Sequence, residues 1–137
     1  MHRTVRLILA GVAGYIAGSV VNMALVQLSG IVIPPPAGAD TTSVEGLRAS
    51  LHLFEPRHFL FPFLAHSLGT LAGAALATLL APLRSPGPAW AVGILFLAGG
   101  IATAFMLPAP AWFIALDLLL AYLPAAWLGH RLLARKA

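Results

Sequence analysis

The sequence contains no cysteine and only four acidic residues, Asp40, Glu45, Glu55 and Asp117, among 137 positions. The first absence excludes disulfides, thiol redox chemistry, cysteine-ligated zinc and iron–sulfur clusters. The second belongs to a wider scarcity of charge. Nine per cent of the residues are charged and 60% are hydrophobic, whereas soluble domains carry ~25% charged residues. A water-soluble core built from this length of chain could not hide so much apolar surface, but lipid can accommodate it. Signature motifs are missing too: there is no nucleotide-binding glycine loop, no G-x-S-x-G elbow, no H-E-x-x-H and no kinase pattern. The expectation is one all-α transmembrane domain over residues 1–137.

Four apolar stretches are present, at about 7–28, 56–80, 90–107 and 111–128. At 1.5 Å per residue each is long enough to cross the hydrocarbon core. The first follows a basic N-terminus, Met1-His2-Arg3-Thr4-Val5-Arg6. It is too long for a signal-peptide core and lacks a cleavage pattern, so an uncleaved helix is expected. Glu55 before Pro56 suits the start of the second helix, and Pro62 is expected to bend it. The linker Pro82-Leu83-Arg84-Ser85-Pro86-Gly87-Pro88 breaks the chain before the third stretch, and Pro108-Ala109-Pro110 turns it into the fourth.

The net charge of +4 could suggest nucleic acid, but the positions of the cations argue for lipid. Arg3, Arg6, Arg84, Arg131, Arg135 and Lys136 all flank apolar stretches on one side, leaving only Arg48 and Arg57 on the other. The positive-inside rule then places both termini and the Arg84 loop in the cytoplasm of a bacterial inner membrane. Anionic headgroups become the expected partners, and no nucleic-acid partner is expected. Trp90, Trp112 and Trp127 fall near the two interfaces, as an aromatic belt would.

The outer loop, about 29–55, holds the rigid run Pro34-Pro35-Pro36. It continues into Thr42-x-x-Glu45, a capping-box pattern. Val44, Leu47, Leu51 and Phe54 recur at helical spacing after it, which predicts a short amphipathic helix on the outer bilayer surface, or a lid on the helix ends.

Small residues mark the packing faces. They are Gly14-x-x-x-Gly18 on the first helix, with Gly11 nearby; Ala65, Gly69, Gly73 and Ala77 on the second; and Gly93, Gly100 and Ala104 on the third. Such GxxxG-type stripes predict close helix contact, within one bundle or in a homodimer.

Asp117 is the most informative residue. A charge at mid-helix costs ~2.5–3.5 kcal/mol on insertion scales, so it requires a partner, protonation or water. Asp117 and Asn22 each lie ~9 Å below the outer boundary of their helices, and His66, about ten residues below Pro56, is at a similar depth if the Pro56–His58 turn is interfacial. His66 shares its face with Gly69, Thr70 and Gly73, and Asn22 shares its face with Tyr15, Gly18 and Ser19; Thr103 lies slightly shallower. These placements predict an intramembrane polar site of Asn22, His66 and Asp117, edged by Ser19, Thr70, Thr103 and Tyr15. It would bind a proton or small solute, or hold the bundle in register. A weaker candidate is His52, Glu55 and His58, whose residue types suit a metal; solvated loop residues are the better reading, and neither a metal nor another cofactor is expected.

Leu53-Phe54-Glu55-Pro56-Arg57-His58-Phe59-Leu60-Phe61-Pro62-Phe63-Leu64-Ala65-His66-Ser67-Leu68-Gly69, Met106-Leu107-Pro108-Ala109-Pro110-Ala111-Trp112-Phe113-Ile114-Ala115-Leu116-Asp117, Gly14-Tyr15 and Gly18-Ser19-Val20-Val21-Asn22 together carry a resemblance. Across nearly all its length the chain resembles a family of small bacterial inner-membrane proteins, hypothetical proteins to which no activity is assigned. The resemblance implies a four-helix membrane protein and carries no catalytic role. Three classes of function therefore stay open: solute or proton-linked binding and transport through the polar site, acting as a dimer or larger assembly; a non-catalytic accessory subunit of a larger membrane complex; and, last, an intramembrane enzyme. The last would need more than one Asp and one His.

Overall fold

The computed structural model describes residues 1–134; Arg135 and Lys136, counted above among the basic flank, lie outside them. Among the described residues the regular structure is all helical, without strands. The helices are α1 (Arg3–Val32), α2 (Val44–Ser50), α3 (Leu60–Leu80), α4 (Gly87–Met106), α5 (Ala111–Leu120) and α6 (Leu123–Leu133). Four segments are long and apolar enough to cross a membrane: Arg3–Val32, Pro56–Leu80, Gly87–Met106 and Ala111–Leu133. The first extends beyond the expected span at both ends, and the fourth runs past its expected end.

The backbone of α3 is the centre of the bundle, touching α1, α4 and α6. Its face of small residues explains why: Ala65, Gly69, Gly73 and Ala77 are all buried. The α1–α3 contact is glycine against glycine. A Cβ on Gly18 would stand 2.6 Å from the Gly69 carbonyl oxygen, and one on Gly69 would stand 2.9 Å from the Gly18 carbonyl. Gly14 and Gly73 oppose each other in the same way. Without a hydrophobic drive between helices in lipid, such backbone approach supplies the dispersion contact that holds them. The two stripes thus meet each other inside one chain. Gly93 of α4 admits Ala126 of α6 at a similar distance, 2.6 Å from where its Cβ would be.

Three local expectations change. Pro62 bends nothing inside a helix. A 3-10 turn occupies Pro56–Phe59 and α3 begins only at Leu60, so Pro62 lies in a first turn whose N–H groups have no helical acceptor anyway. The outer-loop helix is capped by Ser43, whose hydroxyl accepts from the Gly46 N–H at 2.9 Å. Thr42 instead closes a turn on Asp40, its N–H and hydroxyl both donating to Oδ1. The fourth span is also two helices. Pro124 has no N–H to give Leu120, and its ring would crowd that carbonyl, so the helix stops at Leu120 and restarts at Leu123 through Tyr122 (φ −109°, ψ −74°).

At the terminal end of the bundle the Arg84 guanidinium donates to the Leu133 carbonyl at 3.2 Å. A residue expected only as an orientation signal also caps α6. Trp90, Trp112 and Trp127 are 38%, 48% and 48% exposed, all on outward faces. Arg131 lies over the Trp127 ring, 5.2 Å from its centroid.

Candidate functional site

Asp117 is 5% exposed and sits three residues before the end of α5. Its Oδ1 is 2.8 Å from His66 Nδ1 on α3, so the expected opposition of these two residues is realised. Its second oxygen accepts the Tyr122 hydroxyl at 3.2 Å. The His66 and Tyr122 rings stack, with centroids 5.6 Å apart and planes 25° apart. Hydrogen bonds to a charged group contribute ~1.5–3 kcal/mol each. Two of them are enough to offset the ~2.5–3.5 kcal/mol insertion cost of the aspartate. If Asp117 is ionised, both its oxygens accept and His66 donates from Nδ1, which in the neutral ring leaves Nε2 as an acceptor. The exposures are unequal: the His66 side chain keeps 26% of its surface, against 7% for Asp117.

The rest of the predicted intramembrane set divides. Thr70 is fully buried, but its hydroxyl donates to the His66 carbonyl at 2.7 Å. Ser19 donates to the Tyr15 carbonyl and Thr103 to the Gly99 carbonyl. All three hydroxyls are satisfied by their own helices, four residues back. Tyr15 stacks on Phe96 at 5.0 Å, away from the aspartate. Asn22 does not join the pair either. Its Cβ abuts Gly69, 3.1 Å from where a Cβ there would be, and among the described residues no hydrogen bond links it to His66 or Asp117. Depth alone put it in the cluster; its rotation about α1 turns it to the turn of α3 below His66.

The pair lines a cavity of about 290 Å³, at the small end of the range of ligand pockets. Its remaining walls are mostly apolar: Val26, Phe59, Pro62, Leu107, Phe113, Ile114 and Leu118, with Gly100, Thr103 and Ala104 on the α4 side. Leu47, Leu51 and Phe54 cover it from the outer loop. Leu47, Leu51 and Phe54 of the expected apolar stripe therefore face this cavity, as a lid would, while Val44 stays exposed. One polar contact ties the lid to the helices, and a second closes the loop on itself. Arg48 Nε donates to the Met106 carbonyl at the end of α4 at 2.9 Å, and the Asp40 N–H donates to the buried Ser50 hydroxyl at 2.8 Å. Phe59 anchors its far side, 4.7 Å from Phe113 and 5.7 Å from Trp112 between ring centroids.

His52, Glu55 and His58 do not converge on a point, and among the described residues no group of three or more His, Asp or Glu could hold a metal. Glu55 pairs instead with Arg57 at 3.0 Å, both side chains being exposed. His58 departs furthest from the solvated-loop expectation. It is only 7% exposed and lines the cavity. Its Nδ1 accepts the Glu55 N–H at 2.8 Å, while its Nε2 is buried without a partner.

The sequence reading missed three residues. Tyr122 was legible only through Pro124, which turns the chain so that the hydroxyl points back. Thr78 and His130 meet on the other half of the bundle at 3.0 Å, with Thr78 fully buried. His130 lies beside the basic terminus, and the signal that could have found the contact was a second threonine on the buried face of α3, Thr78 after Thr70.

Comparison of the chain with protein-family models, curated proteins and solved structures finds no match.

Proposed function

We propose that this chain is a bacterial inner-membrane protein with cytoplasmic termini, a member of the family of small four-helix proteins it resembles, and that it binds a small solute in the cavity under the lid with His66 and Asp117 linking occupancy to a proton. The supporting observation is the place of the pair. A polar cluster that only fixed helix register would pack dry on all sides, whereas His66 lines the cavity and keeps a quarter of its side-chain surface exposed. Its free Nε2 is the atom at which a proton can be gained without breaking the bond to the carboxylate. The orientation rests on the bias of Lys and Arg toward the terminal end. In that orientation the cavity lies in the outer half of the bilayer, closed to the periplasmic side by α2.

The test uses detergent-purified protein with heptane as an apolar probe, followed by side-chain NMR. Heptane should shift the Leu118 and His66 resonances in the wild type and leave them unmoved in Ala104→Leu, which fills the cavity. Proton uptake on binding should disappear in Asp117→Asn. No heptane shift in the wild type defeats the binding reading; uptake unchanged in Asp117→Asn defeats the proton linkage.

A further inference from the structure

His58 poses a chemical question that the pair at Asp117 leaves unanswered. Because Nδ1 accepts from the Glu55 amide, the imidazole is neutral and its single proton is on Nε2. That N–H is buried, has no acceptor, and belongs to a residue lining the cavity. An unpaired buried donor is costly and rare in folded proteins. Its neighbours around the cavity cannot relieve it. Phe54 presents a ring at 5.5 Å, Asp117 and Thr103 make other hydrogen bonds, and His66, the third side chain there with acceptor capacity, makes none to His58.

The way into the cavity narrows the occupant further. Val26 of α1 lines the cavity and is 43% exposed, and Thr103 of α4 lines it and is exposed. In a chain that spans the bilayer both face lipid, whereas the lid, tied to α4 by Arg48, covers the aqueous side.

We infer that the cavity takes a mainly apolar, membrane-dissolved molecule bearing one hydrogen-bond-accepting oxygen, which His58 Nε2–H binds, and that the molecule arrives laterally between α1 and α4. This rests on the reading of the cavity as a binding site and adds the ligand's chemistry. The oxygen could belong to a free carbonyl compound or to the ester of a lipid acyl chain; the hydrogen bond is the same.

The experiment compares 2-heptanone with heptane on the detergent-purified protein, each titrated by NMR. An ordinary net hydrogen bond gives the ketone about a two- to tenfold advantage in affinity over the alkane. In His58→Phe that advantage should vanish while heptane binding persists. Equal affinities in the wild type overturn the assignment of His58 and leave the cavity reading standing, whereas failure of both probes to bind removes both. If His58→Phe does not fold, the wild-type comparison decides alone. Delipidated protein titrated with phosphatidylglycerol then separates the sources: displacement of bound ketone assigns the oxygen to a lipid ester, and no displacement assigns it to a free molecule, each with the His58 bond retained.

Discussion

Tyr122 donates its hydroxyl to Asp117, five residues earlier in the chain, at 3.2 Å. An unbroken helix would set such residues about 140° apart around its axis. The contact exists because α5 ends at Leu120 and α6 restarts at Leu123, a break placed by Pro124. The proline therefore supplies the second donor of a carboxylate that would otherwise have one. Tyr122→Phe should destabilise the protein by about 1–2 kcal/mol, between the membrane average and the charged-acceptor value. Pro124→Ala should do the same indirectly by favouring a continuous helix. Thermal unfolding in detergent, with the His66 side-chain resonance as a local reporter, checks both; an unmoved His66 resonance in Pro124→Ala would show that the break has another cause.

Removing one side of the buried pair should cost more than removing both. Asp117→Leu strands the His66 and Tyr122 donors, and a broken buried pair costs about 3 kcal/mol at the low end, the end appropriate to a histidine that keeps 26% exposure. The double variant His66→Leu/Asp117→Leu should recover at least half of that loss. A double-mutant cycle measured by chemical unfolding in micelles gives the coupling directly. Additive losses would contradict the interaction.

Glycine substitutions should separate by position. Gly73→Ala drives a methyl into the Gly14 carbonyl and to 3.1 Å from Val92. It should cost about 1–3 kcal/mol, as overpacking does. Gly30→Ala, in α1 and with nothing within 4 Å, should be neutral or stabilising by up to ~1 kcal/mol through helix propensity. Matched melting curves of the two variants decide it.

The lid base has its own acid response. Hydrogen bonds from the Thr42 hydroxyl, then from its backbone N–H, hold the Asp40 carboxyl below its ordinary value. A carboxyl depressed in the folded state contributes fully above its unfolded pKa, ~3.9, and loses that contribution as pH falls through the lower folded value. Thr42→Val should raise the Asp40 pKa and begin to loosen the Asp40–Ser50 segment at a higher pH. A carboxyl NMR titration, with amide exchange across α2, would register both changes.

Apolar length and charge bias made the four spans legible, because those signals are carried by every residue of a segment. Asp117 and His66 were legible as partners because each is an isolated polar residue whose depth follows from counting along its own helix. Asn22 has the same depth, yet rotation about the helix decides contact, and a count cannot supply the angle between helices. Tyr122 was hidden by treating residues 111–128 as one helix despite Pro124. His58 was hidden by its neighbours: Pro56 and Arg57 read as loop, while Phe54 packs edge-on against the buried ring. The change from Thr42 to Ser43 at the cap of α2 is a shift of one residue that the competing turn at Asp40 decides.

The Arg48 contact joins two elements. The guanidinium that fastens the lid is also the partner of the last carbonyl of α4, whose own wall includes Gly100, Thr103 and Ala104. Breaking this one contact would free the roof and uncap the helix behind one wall at once, so the two are fastened by a single side chain.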